Sequence, residues 1–171
     1  AFVTLDFSKV DIDKVRKAAM EHGYSKSMAT AWKRSGILPL EISRQLGYNE
    51  LATAFKIDAT SKPLPIKVEI DEQLATIAGL WLADGCYDGK YSLIISVDDE
   101  ESRRIVREFA AKCDLQARMH SDGVSLIISN TNLVFLFKEV LKLSGNSYTK
   151  KFPQWTFNLD KEKLAALLCG L

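Results

Sequence analysis

The spacing of apolar and polar residues changes twice along the chain. From Asp11 to Phe55 it is helical. Asp11 stands as a cap before Val15, Ala18 and Ala19, and this first helix ends at His22-Gly23. Ser25 opens a second, running to about Arg34 with Met28, Ala31 and Trp32 on its apolar side. Gly36 stops it, Leu38-Pro39-Leu40 leads into a third over Glu41 to Leu46, and a fourth is predicted over Glu50 to Phe55. The seam Ala59-Thr60-Ser61-Lys62-Pro63-Leu64-Pro65 breaks every period, because two prolines and small polar residues suit neither helix nor central strand.

Beyond the seam, Pro65 to Ile70 is a short extended entry, and Asp71 caps a helix through Leu74, Ile77, Ala78 and Trp81 that stops at Asp84-Gly85. Gly85 to Tyr91 begins a hairpin whose second strand is Tyr91 to Val97. Ser102 to Cys113 is amphipathic, with Ile105, Val106, Phe109 and Ala110 inward. Gln116 to His120 and Val124 to Ser129 pair through the Asp122-Gly123 turn. Asn132 to Leu143 is a last helix, with Leu133, Phe135, Leu136, Phe137, Val140 and Leu141 as its apolar set. Helix, hairpin, helix, hairpin, helix predicts an α+β layer, an antiparallel sheet with helices on one face and the other face free.

The entry then recurs. Phe152 to Leu159 is expected to be extended, and Asp160 caps an apolar helix reaching Leu171. A shift of 91 residues lays Ala75 on Ala166, Gly79 on Gly170 and Leu80 on Leu171. Ala75, Gly79 and Ala83 form a small-residue stripe on one helix face. A mid-helix glycine costs about 1 kcal/mol against alanine, so it implies close approach of another helix. Ala166 and Gly170 begin the same stripe, which predicts pseudo-two-fold packing of the two helices. At the end of the first stands Asp84, a carboxylate where the helix dipole favours cations; a divalent ion would offset that cost.

Ile77-Ala78-Gly79-Leu80-Trp81-Leu82-Ala83-Asp84-Gly85 resembles the LAGLIDADG motif of homing endonucleases, in the form carried by inteins. Leu82 replaces the acid often found at the sixth position; Asp84 keeps the eighth. The resemblance covers about residues 65–171, with Leu168-Cys169-Gly170-Leu171 as the start of a second motif. It implies a sheet lying in the DNA major groove and Asp84 as catalytic acid and metal ligand. Mg²⁺ is the implied cofactor, with the carbonyls of Ala83 and Gly85 beside it. The implied activity is site-specific cleavage of double-stranded DNA at an intein insertion site. With only four positions of the second motif present, its acid is missing, and weak or absent cleavage by this chain alone is expected. Two copies could pair through the Ala75–Gly79–Ala83 face, with the C-terminal helix competing for it. The alternative is a sequence-specific DNA-binding protein that keeps the fold without cutting. Splicing itself is not expected, because a splicing element runs from Cys or Ser to Asn, whereas this sequence runs from Ala1 to Leu171.

Charge adds a second DNA-directed feature. The 171 residues carry a net charge of only +1, yet Lys14, Arg16, Lys17, Lys26, Lys33 and Arg34 face only Glu21 among carboxylates, a local +5. Asp13 to Arg34 resembles a helix-turn-helix, with Gly23 at the turn. It would place Tyr24, Ser25, Lys26, Ser27, Thr30, Lys33 and Arg34 toward phosphates or bases. Arg118, on a strand, is the candidate basic residue of the catalytic half. The expected domains are a helical DNA-binding module over 1–62, one LAGLIDADG half over 63–148 and the start of a second repeat over 149–171. Three separated cysteines without a CxxC and the lack of any long apolar run point to a reduced, cytoplasmic setting without a membrane span. Two histidines are too few for a zinc site or a histidine-based triad.

Overall fold

The computed structural model describes residues 1–58 and 61–171; Ala59 and Thr60 of the expected seam lie outside the described residues. The chain divides into two units, Ala1–Val68 and Glu69–Leu171. Both are α+β, each built on a four-stranded antiparallel sheet.

The first unit holds β1 (Phe2–Leu5), α1 (Ile12–Glu21), α2 (Lys26–Ser35), β2 (Ile37–Pro39), α3 (Leu40–Gln45), β3 (Ala52–Lys56) and β4 (Leu64–Pro65). The Asp11 carboxylate caps α1 by accepting from the N–H groups of Asp13 and Lys14, and Gly36 ends α2 with a left-handed φ of 68°. Val15, Ala18 and Ala19 of α1 meet Ala29 and Trp32 of α2 over Val3, Leu5, Leu38 and Ile42. The expected all-helical module is corrected here by the sheet β2-β1-β3-β4. The helix predicted over Glu50 to Phe55 is a single 3₁₀ turn at Asn49–Leu51 followed by β3. Pairing decides that outcome: Phe2 lies opposite Lys56 and Val3 opposite Phe55, contacts more than fifty residues apart. On α2 the inward residues are Ala29 and Trp32, while Met28 is exposed.

The second unit runs α4 (Glu72–Asp84), β5 (Gly85–Asp88), β6 (Ser92–Ser96), α5 (Glu100–Lys112), β7 (Ala117–Met119), β8 (Ser125–Ser129), α6 (Thr131–Phe135) and α7 (Lys161–Cys169). Sheet order is β5-β6-β8-β7. The central strands carry the same five residues, Ser-Leu-Ile-Ile-Ser, and pair head to tail about Ile94 and Ile127. Serine hydroxyls close both ends, Ser92 with Ser129 at 3.0 Å and Ser96 with Ser125 at 2.9 Å. Leu93, Ile95, Leu126 and Ile128 are fully buried on the inner face, under α4, α5 and α6. Alternation puts Ile94 and Ile127 on the other face, with Cys86 and Arg118 in register on either side.

Two stretches differ from expectation. After α6 the chain passes into a π-helical turn, Leu136–Val140, which buries Leu136 and Phe137 together and turns Phe135 and Val140 outward. The Phe152 to Leu159 segment is extended only at its ends; Gln154–Asn158 winds into a 3₁₀ turn. The Trp155 indole N–H donates to the Leu141 carbonyl at 2.7 Å and anchors this turn.

Candidate active site at the end of α4

Asp71 starts α4 by accepting from the Leu74 N–H at 2.8 Å, and its carboxylate also takes the Lys112 ammonium at the end of α5. Partial burial opposes ionisation of Asp71. The Lys112 and Leu74 hydrogen bonds outweigh it and hold the carboxyl below its ordinary value of 3.8. From that start α4 packs against α5 and the sheet, and against α7.

The contact with α7 is backbone to backbone. A Cβ at Gly79 would collide with the Leu167 carbonyl oxygen and lie 3.0 Å from the Gly170 Cα. A Cβ at Gly170 would collide with the Thr76 carbonyl oxygen and lie 2.8 Å from the Leu80 nitrogen. The contacts are reciprocal: Gly79 and Gly170 are 91 residues apart, and so are Thr76 and Leu167. A self-complementary contact of this kind is the signature of two-fold packing. Ala75 is fully buried on the same helix, whereas Ala83 and Ala166 are half-buried. Since α7 fills this face, the pairing of two copies through the stripe is closed for as long as α7 is seated.

Asp84 ends α4 and is exposed to solvent; the next residue, buried Gly85, already belongs to β5. The Gly85 N–H donates to the Trp81 carbonyl. Glycine is required there because a Cβ would collide with the Trp81 indole. The same Trp81 carbonyl accepts Lys150 Nζ at 2.7 Å, the Ala83 carbonyl accepts it at 3.3 Å, and the ammonium sits 4.7 Å from the Trp81 ring centroid. Lys150 thus supplies the cation that the C-terminal dipole of α4 favours. Its partial burial lowers its pKa, and the neighbouring charges of Asp84 and Cys86 act the other way. Tyr87 closes the inner side, its ring 5.0 Å from Trp81 and its hydroxyl donating to the Leu143 carbonyl at 2.6 Å. Burial raises the Tyr87 pKa, and Glu139 adds to the shift.

Lys150 went unnoticed in the sequence, because nothing local marks a lysine 69 residues from Trp81 as its partner. Arg118 is not beside Asp84. It lies on β7 while Asp84 leads into β5, at opposite edges of a four-stranded sheet, which separates them by about 14 Å at ordinary strand spacing. The Ala83 carbonyl already holds an ammonium, so of the expected metal ligands Asp84 is the free anionic oxygen donor. Mg²⁺ is commonly held by one or two carboxylates, with water and substrate phosphates filling the other positions. An exposed aspartate at a helix end fits one such position. Among the described residues no group of three or more His, Cys, Asp and Glu side chains converges.

The other expected contacts lie in the first unit. Lys14, Arg16, Lys17, Lys26, Ser27, Thr30, Lys33 and Arg34 are exposed on α1 and α2. Tyr24 is engaged within its own unit: its hydroxyl donates to Glu41 at 2.9 Å, and its ring packs edge-on against Trp32 with centroids 5.1 Å apart. The Ser25 hydroxyl pairs with Ser27 at 2.8 Å and makes no cap bond to α2. Trp32 is a core residue, 3% exposed. Among the described residues no helix is long and apolar enough to cross a membrane.

No family model matches the chain. It is 28% identical over 149 residues to the uncharacterized protein MJ1054 of Methanocaldococcus jannaschii. The match takes in 79% of this chain but only 16% of that much longer protein.

Proposed function

We propose that this chain is part of a site-specific double-stranded DNA endonuclease of the LAGLIDADG type, with Asp84 as its catalytic acid. The reciprocal glycine contact carries the reading. It fixes α4 against a helix with the same sequence punctuation and delivers one carboxylate, Asp84, to the end of the pair. The helix-hairpin-helix-hairpin-helix order supports it, as does the outer face of the sheet, which carries Arg118 and on which duplex DNA would lie.

Mg²⁺ held by Asp84 would supply activated water and charge stabilisation for phosphodiester hydrolysis. Lys150 keeps the Asp84 end of α4 in place through the Trp81 and Ala83 carbonyls. α1 and α2 add binding away from the chemistry.

The test starts from duplexes selected for binding out of a randomised pool. Wild-type protein is expected to nick them slowly in Mg²⁺ and to bind them without cutting in Ca²⁺. Asp84→Asn should bind equally and lose nicking by roughly 10²-fold or more. Undiminished nicking by Asp84→Asn removes Asp84 from the mechanism. Tight binding with no nicking by either protein favours the non-cleaving DNA-binding alternative.

A further inference from the structure

An open groove of about 640 Å³ runs between α1 and α2. Its walls carry three cations, Arg16 and Lys17 from α1 and Lys26 from α2, and two hydroxyls, Ser27 and Thr30. We propose that this groove grips the phosphodiester backbone of duplex DNA, by charge and hydroxyl contacts, without reading bases. The proposal rests on the DNA reading above and narrows it, since the sequence left phosphate and base contact equally open for α2.

Three observations select this occupant. Cations and hydroxyls are the groups that hold phosphate oxygens. An amphipathic protein helix would need a row of apolar anchors, and the groove offers a single apolar side chain, Met20. A mononucleotide is ordinarily enclosed by mostly apolar walls, whereas this groove is open, and cations continue past it at exposed Lys14, Lys33 and Arg34. Base contact by Tyr24 is disfavoured because its hydroxyl donates to Glu41 and its ring packs on Trp32.

One carboxylate opposes a phosphate here. Asp13 lines the groove and accepts from Arg16 Nη1 at 2.9 Å. The Asp13 side chain is 82% exposed and that of Arg16 44%, so the pair is weak and yields to a phosphate. Removing the Asp13 charge should therefore strengthen binding.

The experiment is fluorescence anisotropy of the whole chain with a 30-base-pair duplex of randomised sequence, without divalent metal, between 50 and 200 mM NaCl. The triple variant Arg16→Ala/Lys17→Ala/Lys26→Ala should reduce the slope of log K against log salt by about 2 to 3. Asp13→Asn should bind a few-fold more tightly at 50 mM. All these residues are exposed, and an unchanged circular-dichroism spectrum shows that each variant is folded. Duplex binding with the same slope in the triple variant overturns the groove and leaves the Asp84 reading standing. Failure of the wild type to bind any duplex overturns both. Polyglutamate competing as well as DNA at equal charge, or duplex RNA binding more tightly, overturns the choice of occupant.

Discussion

Helices α4 and α7 begin alike and end in different surroundings. Each starts at an aspartate cap, Asp71 or Asp160, and each presents a glycine to the other. Yet α4 buries Leu74, Ala75, Ile77, Ala78, Gly79 and Trp81, whereas α7 buries Leu167 within the helix and Gly170 at its end, leaving Leu164, Leu168 and Leu171 exposed. The difference is the number of main neighbours: α7, α5 and the sheet for α4, and chiefly α4 for α7. A glycine contact brings two backbones together; it does not bury a helix. Asp84 therefore stands at the end of the more deeply packed helix.

Loss of the close approach should break this comparison most severely. Gly79→Val puts a branched side chain against the Leu167 carbonyl and should cost about 3 kcal/mol or more in urea unfolding, despite relief of the glycine propensity penalty. Gly170→Ala meets an equal obstacle at Thr76, but only α7 depends on it. Hydrogen exchange should show α7 opening while α4 stays protected. Equal loss of protection in both helices would show that α4 depends on α7.

Next comes the contrast within α7. Leu167→Ala should cost about 2 to 4 kcal/mol because the side chain is fully buried. Leu168→Ser, at a position 54% exposed, should stay within about 0.5 kcal/mol. Comparable losses would mean that the outer face of α7 is covered in solution.

The caps give the smallest effects and a pH signature. Asp71→Ala and Asp160→Ala should each cost about 1 kcal/mol near neutral pH. Asp71 has its folded-state pKa depressed. Its contribution is complete above the ordinary value of 3.8 and is lost as pH falls through the lower folded-state value. The gap between wild type and Asp71→Ala should therefore narrow in acid, and a gap that stays constant as the pH falls would contradict the charged cap.

What could be read from the sequence follows the range of the forces involved. The Asp71 cap, the Asp84-Gly85 stop and the Asp122-Gly123 turn depend on neighbours within a few residues, and the structure has each of them. The first unit's sheet does not. β3 contains helix-forming alanines, and its conformation comes from pairing with β1. Val140 has the right spacing for the core, but the π-helical turn that ends there leaves it outward and puts Leu141 inward. The glycine contact could be anticipated because the spacing repeats at 91 residues. The identical strands β6 and β8 repeat just as visibly, yet only their register shows that the repeat is palindromic. At the candidate site Asp84 was legible from its motif. Lys150 was not, because a loop of no regular pattern carries it to the end of α4.

The central claim is that Asp84 binds a metal at the end of α4, and terbium luminescence tests it most directly. Trp81 lies one helical turn before Asp84 and can sensitise a bound ion. With selected duplex present, Tb³⁺ emission excited through tryptophan should rise, be displaced by Mg²⁺, and fall to background in Asp84→Asn. Emission from Asp84→Asn equal to that of the wild type, with DNA binding intact, would contradict the account.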